Sequence, residues 1–378
     1  MRQRGIILLS LVLLFSLVSA DYPTLQFLNF WPSARATGLA GCFTSIADDA
    51  YAAYYNPAGL PFLQKKMVAF TYNPHLPGLY PDMYYLNISY SAPLKSNQGF
   101  GVFLPYYTDG TYDFTDANGN YTDVRRSYTF AVAGAYGNQI KKNLSIGGTA
   151  KLVYFRGYYT WDFWEQNDCE VVFYEPDIPP DPGACFAVDF GLLYKPVPRL
   201  NIGFTIQNFG TRADSRETGE SQPLPFQSRF GIKYGPLTKN NTKTLFTAEL
   251  TKNLIGMFCD PNNYRTFIEQ LDYELKDIYK SIGAEFSVYD IVYLRFGYFE
   301  DIINDMGGLL IHCDDRDDHV SIYEYLFDSK VRGSKIYKVG WTYSVGITYK
   351  NASVDIGTDQ YIYDFDTSNW KFTLSYQF

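Results

Sequence analysis

The sequence predicts an all-β protein, a transmembrane antiparallel β-barrel of about 14 strands with an N-terminal helical hatch plugging the lumen. Three observations point there. Short segments alternate with period two from residue 66 onward, the connections between them alternate long and short, and the charges within them fall on one face. The composition fits, with 18% aromatic residues and only 19% charged, against about 25% charged in an ordinary globular chain.

The first element is an export signal. Arg2 and Arg4 precede an apolar run from Ile6 to Val18, and Val18, Ser19 and Ala20 offer the small side chains a signal peptidase reads. The run is too short to span a hydrocarbon core about 30 Å thick. Residues 1–20 are therefore expected to be removed after Ala20, and the absence of a cysteine at the new N-terminus disfavours a lipoprotein.

Residues 21–65 do not alternate. They read as small-residue turns and a short helix, in SARATGLAGCFTSIADDAYAAYYNPAGL (33–60). Asp48 suits a helix N-cap, Asp49 the positive end of the helix dipole, and Asn56-Pro57 a stop. A compact segment of this kind ahead of a barrel suggests a plug, because fourteen strands enclose more space than their own side chains fill.

Residues 66–378 form the barrel. Strands are predicted near 67–72, 84–91, 99–107, 124–136, 144–156, 186–194, 200–208, 227–234, 244–251, 280–288, 291–299, 337–349, 352–358 and 370–378. In 186–194, for example, Phe186, Val188, Phe190, Leu192 and Tyr194 alternate with Ala187, Asp189, Gly191 and Leu193. An even count brings both ends of the barrel to one side. Long connections at 108–123, 157–185, 209–226, 252–279, 300–336 and 359–369 are set against short ones such as GNQIKK and KPVPR. A soluble sandwich has no reason to place its long loops at one end, whereas outer-membrane barrels have short periplasmic turns and long extracellular loops. Lys151, Asp189, Lys233, Glu249, Glu285, Arg295 and Asp355 all lie opposite the apolar residues of their strands. The apolar face then meets lipid and the polar face a lumen, with Tyr and Trp near the strand ends as interfacial girdles.

The N-terminal stretch carries a resemblance. Ala34, Ala36, Gly38, Gly41, the run Ala47-Asp48-Asp49-Ala50, and then the motif Asn56, Pro57, Ala58, Gly59 and Leu60 resemble the hatch of the FadL-like outer-membrane transporters of hydrophobic compounds, a family with TodX-type and PorV-type branches. The resemblance implies a fourteen-stranded barrel in the bacterial outer membrane with its hatch in the lumen. It also implies a partner that is a long-chain fatty acid or another hydrophobic small molecule, taken up by passive diffusion. The terminal Phe378 looks like the signal by which barrel-assembly machinery recognises its clients, and outer-membrane lipid is the surrounding partner.

Other classes are disfavoured. A net charge of −8 argues against nucleic acid, which calls for a basic patch. No GxSxG, HExxH or phosphate-binding glycine loop is present, so no enzyme and no cofactor are expected. The run IHCDDRDDH (311–319) holds metal-ligand residue types, but adjacent acids such as Asp314-Asp315 and Asp317-Asp318 suit a solvated loop better. Five cysteines at 42, 169, 185, 259 and 313 show no CxxC spacing; two disulfides among the four loop cysteines, with Cys42 free in the hatch, are the expectation.

For a fatty acid, a capture surface and a cation are needed. The loop 157–166 supplies aromatics, with Trp161, Phe163 and Trp164 as candidate contacts, or as anchors to interfacial lipid. Lys151, Lys233 and Arg295 are the candidate partners of a carboxylate, although at least two of them are expected to pair instead with Asp189, Glu249, Glu285 or Asp355 across the lumen. Asn56 and Pro57 are expected to shape the hatch rather than touch substrate. The alternative is a PorV-like scaffold barrel that binds partner proteins, favoured by long acidic loops and by NNYRTFIEQLDYELKDI (262–278), which spaces Phe267, Leu271 and Leu275 as on a helix.

Overall fold

The computed structural model describes residues 23–75, 77, 82–94, 97–115, 120–156, 182–214, 221–258, 265–302, 306–313, 316–359 and 369–378. Period-two patterning folds into fourteen long strands. They are β1 (Met67–Pro74), β2 (Tyr84–Leu94), β3 (Gln98–Thr115), β4 (Tyr121–Lys141), β5 (Leu144–Arg156), β6 (Gly183–Val197) and β7 (Leu200–Gly210). The second half comprises β8 (Gln227–Lys239), β9 (Thr242–Asn253), β10 (Ile278–Val288), β11 (Val292–Asp301), β12 (Trp341–Tyr349), β13 (Ala352–Asp359) and β14 (Asn369–Gln377). Each pairs antiparallel with its neighbours in sequence. The ring closes where β1 meets β14, in register from Met67 opposite Gln377 to Tyr72 opposite Phe372. Closure leaves no sheet edge, so every strand meets its backbone hydrogen-bonding demand inside the barrel, as lipid requires.

Parity then sorts the side chains. In β6, Phe186 and Phe190 point outward and stay exposed while Ala187, Asp189 and Leu193 are buried. The same division holds for outward Leu152, Phe246, Leu250, Ile282 and Leu374. Near the long-loop rim, outward tyrosines meet from strand to strand: Tyr72 tilted against Tyr84 (6.1 Å between ring centroids), then stacked Tyr84 on Tyr106 (5.9 Å), Tyr106 on Tyr128 (6.3 Å) and Tyr128 on Tyr154 (6.1 Å). That ladder across β1–β5 is an interfacial girdle, with apolar ring bodies and polar hydroxyl tips.

Two connections differ from expectation. The stretch 108–123 is mostly strand, since β3 runs for 18 residues and β4 for 21, leaving only 116–120 between them. The predicted strand 337–349 is two, Lys335–Val339 and β12, parted at Gly340. Phe299 N–H donates to Gly340 O (3.0 Å) and Gly340 N–H to Gly308 O (2.8 Å), and a Cβ at 340 would collide with the Phe299 carbonyl. Glycine thus lets the chain step from the barrel wall into a small loop sheet. In that sheet Leu309–Cys313 pairs with both Arg316–Val320 and Lys335–Val339, so the acidic run around 311–319 is a hairpin rather than an open loop.

The hatch threads the lumen from rim to rim. It opens with a 3-10 turn at Gln26–Asn29 and a one-turn helix at Ala34–Thr37, whose N-cap Ser33 Oγ accepts from Ala36 N–H at 3.1 Å. A second short helix, Ala52–Tyr55, and a 3-10 segment, Pro57–Phe62, complete it. Phe30 packs on His75, Tyr85 and Tyr107 at the long-loop rim, whereas Leu60 meets Gly99 beside a short turn. Phe43, Tyr54, Tyr55 and Leu60 form the core with Phe103 of the wall. Asp48 does not cap the helix: Tyr51 occupies the N-cap. The Asp48 carboxylate is drawn instead to Arg35 at 2.6 Å, and Asp49 Oδ1 takes the Tyr51 N–H at 2.8 Å.

Candidate functional site

The candidate site is the interface between hatch and wall. At its short-turn end, buried Asn56 uses its whole amide. Its Nδ2 donates to Thr44 O (2.8 Å) and to Leu192 O of β6 (3.1 Å), and its Oδ1 accepts from Ala58 N–H (3.0 Å). Asn56 therefore ends one helix, starts the 3-10 turn, and ties both to the barrel. Pro57 follows at the first turn position, where its missing N–H costs nothing.

Glycines on the lumen face let this backbone approach. A Cβ at Gly137 or Gly147 would meet Pro57, one at Gly191 would meet Asn56 Oδ1, and one at Gly101 would lie 2.6 Å from Ala53 Cβ. Gly203, Gly283, Gly297 and Gly357 make the same allowance for Thr44, Leu39, Ala40 and Ala34. Within the hatch, Gly59 is pressed against Ala47 in the same way. The wall is thus moulded to the hatch along most of its length.

Charges form the second half of the interface. Arg35 of the hatch makes ion pairs with Glu285 (2.8 Å), Asp48 (2.6 Å) and Asp49 (3.3 Å). Glu285 is shared with Arg295 (2.7 Å), which also holds Asp355 (2.6 Å). Arg229 pairs with Glu249 (2.6 Å) and donates to the hatch carbonyl of Gly41 (2.8 Å), while Glu249 Oε2 accepts Thr44 N–H (2.9 Å). Near the long-loop rim, Lys151 pairs with Asp189 (2.8 Å) and Lys371 with Asp359 (2.7 Å). Buried charge is tolerable only with such partners.

Of the three predicted headgroup cations, Lys151 and Arg295 are therefore engaged by wall carboxylates. Lys233 makes no ion pair among the described residues. It lies opposite Asn201, next to the β7 start, towards the short-turn end and away from the surface loops. Trp161, Phe163 and Trp164 lie outside the described residues, as do the export signal and Cys169 and Cys259. Cys42 is a free, buried thiol whose Sγ lies 3.0 Å from Ser281 Oγ. Among the described residues, no group of three or more His, Cys, Asp or Glu side chains is placed to hold a metal.

Sequence reading missed Arg35, Arg229, Lys371 and Asp359 as parts of the network. Parity was the available signal for the wall residues, since Arg229 shares a face with Gly231 and Lys233. The glycines share the parity of the lumen charges too, and small residues on that face forecast a close-packed filling.

A closed barrel with an apolar outer band, a tyrosine girdle and a hatch locked in its lumen defines a plugged β-barrel of the outer membrane. A family profile described as "Type IX secretion system protein PorV" matches residues 22–260, which is more than half of the sequence. The chain belongs to that family. Its fold is similar to that of the toluene transporter TodX of Pseudomonas putida, with a TM-score of 0.53 at 11% identity over 92% of this chain and 98% of that one. It is similar also to the toluene transporter TbuX of Ralstonia pickettii, with a TM-score of 0.52 at 12% identity over 92% and 98%. No curated protein matches the sequence significantly.

Proposed function

We propose that this protein serves type IX secretion as a plugged outer-membrane barrel that binds partner proteins through its long loops. The observation that carries this reading is the lumen itself. Hatch backbone lies against wall glycines, and the buried lumen cations Lys151, Arg229, Arg295 and Lys371 are each committed to a carboxylate. Such a lumen suits a rigid scaffold better than a conduit. Membership of the PorV family supports the same reading.

The test is deletion of the gene in its own cell, followed by measurement of type IX cargo in the medium and of labelled fatty acid uptake. Cargo retained in the cell, with uptake unchanged, is the expected result. Normal secretion sinks the proposal.

A second reading has its own support. The fold is shared with two toluene transporters, so passive diffusion of a long-chain fatty acid or similar hydrophobic compound stands as the alternative, with Lys233 a lumen cation that makes no ion pair among the described residues and the 157–166 aromatics the capture surface. It requires the hatch to shift. Saturable binding of a fatty acid to the refolded barrel, lost in Lys233→Ala, would favour it.

A further inference from the structure

One surface helix has its amphipathicity reversed, and a second, shorter one leaves most of its apolar side chains uncovered. Helix Phe267–Lys276 opens with a capping box between Thr266 and Glu269, and the side chains it buries are Gln270 and Glu274. Phe267 and Ile268 are 74% and 77% exposed, and Leu271 and Leu275 are exposed beside them. Helix Ile322–Phe327 opens with a second capping box, between Ser321 and Glu324, and exposes Tyr323, Leu326 and Phe327. An apolar face turned outward on a short helix calls for a cover other than water.

Strand parity shows where these helices sit. Lys252 shares the outward face of β9 with Leu250, and it holds the first helix by ion pairs to Glu274 (2.6 Å) and Asp277 (2.5 Å). Tyr298 and Glu300 share the outward face of β11 with Phe296, yet both are buried. Glu300 is held by Lys280, outward on β10, at 3.2 Å, and accepts from Ile322 N–H at 3.3 Å and from Tyr298 Oη at 3.0 Å. Both helices therefore hang over the outside of β9–β11 at the long-loop rim, on the membrane side rather than above the lumen. Between Ile322 and Tyr323 and the outward residues Phe230, Ile232, Leu250 and Ile282 lies a cleft of about 440 Å³.

We propose that the two helices form a collar that lies in the outer leaflet, apolar side chains down among the acyl chains, and that the cleft seats one lipid chain. The argument is continuity. The cleft is floored by the same outward side chains that form the lipid band, the polar face of the first helix is already held by Lys252, and Glu300 holds the second by the Ile322 N–H at its N-terminus. A helix whose apolar face is buried a few ångströms below the headgroups is the interfacial arrangement.

The experiment places a photo-crosslinking benzoylphenylalanine at Leu271 or at Tyr323 of the full chain in its native membrane. Leu152, in the lipid band away from the cleft, is the positive control and Lys335, on the loop sheet, the negative one. After irradiation, intact-mass analysis is expected to show the mass shift of a lipid at Leu271 and Tyr323, as at Leu152, and none at Lys335. Lipid adducts at Leu152 alone overturn the proposal, and so does a crosslink from either helix to a protein, which would make the collar a protein-docking face.

Discussion

Arg35 grips Glu285 with two hydrogen bonds, Nε to Oε2 at 2.8 Å and Nη2 to Oε1 at 3.2 Å. The two residues are 250 positions apart in sequence, so this contact ties the hatch to a strand that is made much later. Arg295 approaches the same carboxylate from the wall. The hatch is thus held by a charge that the barrel also uses for itself.

Arg35→Met should release the hatch while leaving Glu285 neutralised by Arg295. Breaking a fully buried pair costs about 3–5 kcal/mol. Arg35 keeps 19% of its side-chain surface in contact with solvent, so a loss of about 2 kcal/mol is expected. Amide exchange in residues 33–50 should accelerate by roughly 30-fold, with the barrel still shifting on heat-modifiable gels. Unchanged exchange would show that the pair is not a latch.

Asn56→Ala removes the donor to Thr44 O and Leu192 O and the acceptor for Ala58 N–H. Orphaned buried groups cost about 1–3 kcal/mol each, and the loss should concentrate in 52–62. The expected readout is single-channel current in a planar bilayer, rising from a closed baseline to intermittent openings, with normal barrel assembly. A silent variant would separate the Asn-Pro turn from closure of the lumen.

Gly191→Val tests the moulded wall directly. The new side chain would occupy the position of Asn56 Oδ1, and overpacking of a filled interior costs about 1–3 kcal/mol. Stronger opening than in Asn56→Ala is expected, since the hatch is pushed as well as freed. Gly134→Val is the control, because a Cβ there meets nothing within 4 Å.

The barrel was legible because period two survives in every strand, and Phe186 to Tyr194 reads as clearly in sequence as in space. Parity named the lumen charges, and with them the carboxylates that Lys151 and Arg295 meet, but not which charge pairs with which. Arg295 finds Glu285 and Asp355 only because β10, β11, β12 and β13 close in one register, and sequence spacing carries no trace of closure. Asp48 was misread for a related reason: local propensity made it a cap, and Arg35 outbid the helix. The break at Gly340 was hidden because both flanking segments alternate, and only the Phe299 carbonyl forces the turn.

A pH dependence should appear at the long-loop rim. Burial pushes the His75 imidazole down to about 4, with the Lys371 ammonium adding to the effect. His75 lies just beyond β1 and stacks on Phe30 of the hatch at 5.0 Å. A depressed folded value means that the neutral ring is the folded form. Its contribution is complete above the ordinary value of 6.5 and fades as pH falls towards 4, by up to about 3 kcal/mol. Exchange of residues 26–31 should quicken between pH 6.5 and 4, and His75→Phe should flatten that response.

The seam between β1 and β14 sets an order of events. Lys66 O, at the foot of the hatch, accepts the N–H of Phe378 at 2.9 Å, so the first strand waits for the last before the ring shuts. A hatch whose backbone rests against wall glycines from Gly99 to Gly357 has no room to thread in afterwards. The barrel must be wrapped around its own beginning, which makes the N-terminal segment the mandrel on which the wall is wound.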